Sequence, residues 1–251
     1  MADILLIHGT WTGGWIWTSV RRSLAVRGHN VVAPTLTGLG EREHLLTGET
    51  GLDTHIEDLL AVVRWENLQD VLLVAHSYGG MLVSALADRL PGTVSGVILM
   101  NAALPRDGET MLDMQTADRR DQVLKIAAAQ GQGYLVPKRM LLNTGITDKA
   151  AADSFTQRSS DHPLRSLTQP LSVGDGLARV GRKLHLIADH ASERFRKDHD
   201  WAAAQPDWQT GTLGSSHYPM ATVPEETASL IDAFISASGR HEPGGGAARP
   251  R

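Results

Sequence analysis

Short apolar runs punctuate the chain at residues 4–7, 30–33, 71–75, 97–100 and 184–188. Most show no alternation of apolar and polar positions, and several are rich in β-branched residues. That is the pattern of strands buried on both faces, as in a parallel sheet. Helical periodicity fills the intervals. Residues 15–27 lead up to Gly28, placed as a helix-ending glycine. Residues 53–65 put Ile56, Leu59, Leu60 and Val63 on one face, with acidic Asp53 and Glu57 early in the helix. Residues 81–90 stop at Pro91-Gly92. Strand and helix alternate, so the fold class is α/β, built from βαβ units with right-handed crossovers around a mostly parallel sheet.

The alternation stops after Ala103. Residues 104–182 read as irregular and helical, broken by Pro105, Pro137, Pro163 and Pro170. The expected organisation is a core of residues 1–103 and 183–237 carrying a small helical cap, 104–182. The sheet resumes at Leu184, with 208–213 as a weak last strand. A final helix over 224–237 opens on Pro-Glu-Glu. Residues 238–251 have little to bury and are expected to be a disordered tail.

Composition narrows the function classes. The chain has 251 residues, 41% apolar and 21% charged, with a formal net charge of −4. It offers no basic footprint for nucleic acid and no polybasic or long apolar segment for a membrane. There is no cysteine, so thiolate metal sites, disulfides and a Cys nucleophile are excluded. The expectation is a cytoplasmic protein acting on a small-molecule substrate, with no cofactor and no metal, and with a homodimer left open.

The candidate chemistry starts at Ala75-His76-Ser77-Tyr78-Gly79-Gly80. It follows an apolar strand and precedes a helix, the setting in which a serine on a strained turn projects its Oγ out of a sheet. Ala75 and Gly79 keep that turn free of clashes, and Gly80 lets the helix pack closely. Two backbone amides should face the developing oxyanion. One is that of Tyr78. The other is that of Thr10, in His8-Gly9-Thr10-Trp11 after the first strand, where His8 is read as orienting the loop. In this arrangement the order is Ser, acid, His. His217, in the small polar loop Gly214-Ser215-Ser216-His217, is the expected base. Asp189, at the end of the 184–188 strand, is the expected acid, with Glu193, Asp198 and Asp107 as rivals. The substrate walls are expected from Trp11, Met111, Met114, Tyr134 and Tyr218, with Leu112, Leu135, Met140, Leu141, Trp15 and Trp17 as further candidates.

These residues together resemble the plant methylesterase and hydroxynitrile lyase family within the α/β-hydrolases, and more closely its bacterial relatives. The resemblance is carried by His8-Gly9-Thr10-Trp11-Thr12-Gly13-Gly14-Trp15, Ala75 to Met81 and Ser216-His217. Residues 34–42 and 51–56 are similar to the bacterial members. The family implies a cofactor-independent Ser-His-Asp enzyme, with Ser77, His217, Asp189 and the Thr10 and Tyr78 amides in the corresponding places. Two departures from the lyases stand out. Gly9 replaces a Thr, and Tyr218 replaces the Lys that follows the catalytic His. Without a cation at Tyr218 cyanide would be a poor leaving group, which favours hydrolysis over cyanohydrin cleavage. Many bacterial relatives carry Asp where this chain has Asn101, which offers a further place for the family acid. The expected reaction is hydrolysis of a small to medium hydrophobic ester, methyl ester or lactone. Cleavage of a carbon–carbon bond, polyketide tailoring, a lyase and a non-catalytic binding protein are the other readings.

Overall fold

The apolar runs at 4–7, 71–75 and 97–100 are continuous because both faces of these inner strands are covered. In the computed structural model, which describes residues 1–140, 144–189 and 191–237, Leu5, Ile7, Leu73, Ala75, Val97 and Leu99 enter one apolar cluster. Their sequence neighbours Ile4, Leu6, Leu72, Val74, Ile98 and Met100 enter another on the opposite face. Successive side chains of a strand point to opposite faces, so a strand covered on both sides favours an apolar residue at nearly every position. Each such aliphatic side chain contributes about 1.5–3 kcal/mol on burial.

The elements follow in order. Strand β1 (Asp3–Ile7) leads through a 3-10 turn, Gly14–Trp17, into α1 (Thr18–Val26). Gly28, at φ 87°, ends that helix. Next come β2 (Asn30–Val32), α2 (Leu52–Trp65), β3 (Val71–His76), α3 (Gly79–Arg89) and β4 (Val94–Met100). An insertion then holds α4 (Ala117–Gln130), β5 (Leu135–Val136), α5 (Lys149–Arg158), β6 (His162–Pro163), α6 (Leu164–Thr168) and α7 (Gly176–Arg179). The core resumes with β7 (Lys183–Ala188), α8 (Glu193–Ala203), β8 (Trp208–Leu213), α9 (Pro219–Thr222) and α10 (Pro224–Ser236).

Six strands form one sheet in the order β2-β1-β3-β4-β7-β8, all pairs parallel. Helix α3 begins two residues earlier than the periodicity predicts, because Gly79 and Gly80 join it directly after the turn at Ser77. The weak reading of β8 has a physical cause. It is an edge strand whose side chains are mostly half-buried or exposed, so its apolar content is low.

The insertion between β4 and β7 carries a two-stranded antiparallel ribbon of β5 and β6. Its last turn returns to the core. The Asp88 carboxylate of α3 accepts the Gly174 and Gly176 amides, both at 2.5 Å. The expected tail, 238–251, lies outside the described residues. Among the described residues no helix is long and apolar enough to cross a membrane.

Candidate active site

Ser77 is held in the left-handed region at φ 52°, a conformation that costs a non-glycine residue energy and that surrounding contacts must enforce. The contacts are at hand. The Ser77 carbonyl accepts the amides of Gly80 (3.1 Å) and Ala103 (3.0 Å), and its own amide donates to the Met100 carbonyl at 3.4 Å. A Cβ on Gly80 would run into the Ala103 carbonyl, so glycine is what lets α3 lie this close to the segment after β4. A Cβ on Gly9 would sit 2.9 Å from both Ser77 Cβ and His76 Nδ1.

The aromatic side chain of Tyr78 is directed away from the turn. Its hydroxyl donates to His55 Nδ1 at 2.8 Å, because His55 Nε2–H donates to the Thr37 carbonyl at 3.0 Å. Tyr78 is fully buried, and only its backbone amide is left beside Ser77. His8 performs the loop-orienting task expected of it. Its Nε2 accepts the Leu36 amide at 3.1 Å, so Nδ1 carries the proton and donates to the Gly9 carbonyl at 2.8 Å. Burial holds its pKa down to about 4, which keeps it neutral in this role.

Trp11 has a positive φ of 60° and is tied to the insertion by three hydrogen bonds. Its amide donates to His162 Nδ1 at 3.4 Å, its carbonyl accepts the Ser160 amide at 3.0 Å, and its Nε1 donates to the Val136 carbonyl at 3.1 Å. His162 Nε2 in turn pairs with Ser166 Oγ at 2.8 Å. The loop that bears Thr10 is therefore fastened, one residue further on, to the segment between β4 and β7.

His217 sits between β8 and α9. Its carbonyl accepts two hydrogen bonds, from His76 Nε2 at 2.9 Å and from Asn101 Nδ2 at 3.1 Å. Its ring stacks on Phe195 with centroids 5.4 Å apart and planes 21° apart. Burial alone lowers its pKa to about 4, so the imidazole is neutral at pH 7. Asn101, itself at φ 45° and buried, accepts the Ala188 amide on Oδ1 at 2.7 Å. Its amide faces the backbone of His217 and not its ring. It joins the end of β7 to the His217 loop, a role that sequence reasoning missed.

Ser77, Thr10 and His217 line a single cavity of about 360 Å³. Of the expected substrate residues, Trp11, Met111 and Tyr218 line it, and so do Leu112 and Met140. Met114 and Tyr134 do not. Met114 is buried in the apolar cluster beneath, and the Tyr134 hydroxyl donates to Gln132. Trp17 is buried on the far side of the sheet and Trp15 packs edge-on against Phe155 at 5.3 Å. Leu141 lies outside the described residues. Gln115, Arg119, Val123, Val136, Leu167 and Phe195 are walls that the sequence did not single out. Phe195 had one signal, its place just after the 184–189 segment.

The carboxylates separate by environment. Asp198 is buried, accepts the Leu104 amide at 3.0 Å and pairs with Arg194 at 2.8 Å. Glu193 pairs with Lys197 at 3.0 Å, and Asp107 accepts the Val173 amide at 3.0 Å. Asp189 is exposed and shares with His217 a surface cleft also lined by Gly214, Ser215 and Ser216. It makes no hydrogen bond to the His217 ring, and the Ser77 hydroxyl makes none either. Among the described residues no cluster of three or more His, Asp or Glu side chains is arranged to hold a metal ion.

A strained serine at a strand-to-helix turn, facing a histidine across a cavity roofed by an insertion, is the arrangement of the α/β-hydrolases. The chain belongs to the alpha/beta hydrolase family, whose model matches residues 4–230. A carbendazim hydrolyzing esterase of Nocardioides sp. (strain SG-4G) is 31% identical over 246 residues, 93% of this chain and 100% of that protein. Methyl jasmonate esterase 1 of Vitis vinifera is 32% identical over 105 residues, 40% of this chain and 39% of that protein. An extracellular α/β-hydrolase from a Paenibacillus species, described as sharing structural and functional homology with tobacco salicylic acid binding protein 2, superposes with a TM-score of 0.82. It is 18% identical and covers 93% of this chain and 99% of its own, a likeness of fold. The resemblance to plant methylesterases and their bacterial relatives thus holds, and ester hydrolysis in general terms is the activity these relatives support.

Proposed function

We propose that the protein is a serine esterase that cleaves a hydrophobic carboxylic ester, methyl ester or lactone through an acyl-enzyme. One observation carries the reading: Ser77, in its left-handed turn, shares one largely apolar cavity with His217 and Thr10. Neutral His217 takes the Ser77 proton as Oγ attacks the ester carbonyl. The amides of Thr10 and Tyr78 hold the oxyanion. His217 returns the proton to the departing alcohol, and water releases the acid by the same route. Asp189 turns its carboxylate to the imidazole N–H as the ring becomes charged, completing the triad.

Hydrolysis is favoured over cyanohydrin cleavage by the position after His217. Tyr218 is buried and burial pushes its pKa up, so a neutral phenol stands where the lyases have an ammonium. The test is a panel of methyl esters, lactones, β-diketones and p-nitrophenyl butyrate with wild type and Ser77→Ala. Ester turnover with a burst, lost in Ser77→Ala and blocked by a serine-directed inhibitor, is expected. Diketone cleavage without ester turnover overturns the ester reading, and full activity in Ser77→Ala overturns the nucleophile.

A further inference from the structure

Among the described residues a single guanidinium, that of Arg119, interrupts the apolar lining of the active-site cavity. Arg119 lies in the first turn of α4, and its own amide is capped by Thr116 Oγ1 at 3.3 Å. A cation is disfavoured there, because the N-terminal end of a helix is its positive end. Partial burial lowers the Arg119 pKa, so the charge is also short of water. Its neighbour Arg120 is paired with Asp113 at 3.6 Å. Arg119 has no such partner among the described residues. It donates only to neutral oxygens, Gln122 Oε1 at 2.8 Å and the Met140 carbonyl at 3.3 Å. Asp118, the acid of the same turn, is exposed and makes no ion pair with it. A guanidinium has five N–H donors, so several stay available while the charge is uncompensated. Gln115, four residues earlier, lines the same cavity. Three unfavourable terms meet at this cation: the helix dipole, partial desolvation and the lack of a carboxylate. An anion in the cavity relieves all of them.

We infer that Arg119, with Gln115, forms a carboxylate subsite in the substrate cavity. The substrate is then a two-ended molecule, with an ester carbonyl at Ser77, an apolar body, and a free carboxylate on Arg119. A monoester of a dicarboxylic acid has this chemistry. The catalytic side of the inference rests on the esterase reading of Ser77, whereas the binding side rests on the cavity alone.

The experiment compares a series of monomethyl dicarboxylates, from butanedioate to decanedioate, with methyl alkanoates of the same length. Wild type, Arg119→Met, Arg119→Gln and Arg119→Lys are assayed. A hydrogen bond to a charged group is worth about 10- to 100-fold in binding. Wild type should favour its best half-ester over the matched neutral ester by about that factor, chiefly in KM. The ratio should fall to near unity in Arg119→Met and Arg119→Gln, and be partly kept in Arg119→Lys. A ratio unchanged in Arg119→Gln, or a wild type that prefers the neutral ester throughout, overturns the subsite. A second measurement separates the two readings. Octanedioate should raise the thermal midpoint of wild type but not of Arg119→Gln, with 1,8-octanediol inert towards both. If no ester is turned over but this shift is seen, the esterase reading fails and the subsite stands. No shift in wild type overturns the subsite.

Discussion

Replacing Asn101 by aspartate changes one atom type and inverts a hydrogen bond. The Asn101 amide is fixed by two backbone groups of unambiguous character, Ala188 N–H on Oδ1 and the His217 carbonyl on Nδ2. A carboxylate still accepts from Ala188 but sets a negative oxygen against the His217 carbonyl, at a site only 1% exposed. The cost has a ceiling, because the acid can protonate and donate instead. From an unfolded pKa of about 3.9, protonation at pH 7 costs about 4 kcal/mol. The folded-state pKa of the introduced carboxyl is therefore raised above its unfolded value. The stability of Asn101→Asp relative to wild type is complete below about pH 4 and is lost as pH rises, by about 1.4 kcal/mol per pH unit until the folded pKa is passed. Asn101→Ala supplies the control. It removes both bonds, leaves the Ala188 amide unpaired and places alanine at φ 45°, for about 2–5 kcal/mol with no such pH dependence. Urea unfolding of the three proteins at pH 5 and pH 7 gives the differences directly. Asn101→Asp should lose up to about 3 kcal/mol more at pH 7 than at pH 5. An equal loss at both pH values would refute the donor assignment and with it the role given to Asn101.

Other expectations follow from the same geometry. Asp189→Asn should lower kcat by about 10²- to 10⁴-fold and leave the acid limb of kcat/KM near pH 4, where burial alone already places His217; an unchanged kcat would separate Asp189 from the imidazole. His8, His55, His185 and His217 are all held to about 4 by burial. Each neutral ring contributes about 3 kcal/mol, fully present above pH 6.5 and lost as pH falls toward 4. Together they reach the roughly 5–15 kcal/mol of a typical domain, so tryptophan fluorescence should report unfolding between about pH 6 and 4, and a flat stability over that range would contradict these burial effects. Trp11→Phe removes the indole donor to Val136. It should cost about 1 kcal/mol of stability and lower ester kcat severalfold, and an unaltered kcat would show that the Thr10 loop holds its place without that bond.

The sheet was readable because a strand buried on both faces leaves a nearly unbroken apolar run, as in β1, β3 and β4, whereas buried Lys183 and His185 interrupt that run in β7. The cap was not. Helix α4 buries only Val123 and Ala127, too few positions to show a period. The β5–β6 ribbon has two residues per strand, one of them Pro163, which no alternation can reveal. The meeting of Ser77 and His217 at one cavity was legible because chain order fixes which loops meet at the C-terminal ends of parallel strands. Arg119 was not, since a lone side chain on a helix carries no signal of what it faces, and Phe195 had only its place just after the 184–189 segment. Asn101 stands out in the sequence only as a departure from its relatives, whereas its hydrogen bonds explain why an amide serves there: the site demands one donor and one acceptor at once.

The fastening of Trp11 to Val136, Ser160 and His162 bears on how this scaffold can be recombined. A chimera that exchanges the insertion to import another specificity would also discard the partners of a strained residue next to the Thr10 amide. Transplants that carry Val136, Ser160 and His162 across with the recipient's own first loop should keep their turnover. Those that cut between them should inherit a new pocket above a weakened catalyst. On the proposed reading, specificity and rate are parts of one heritable block, not separable modules.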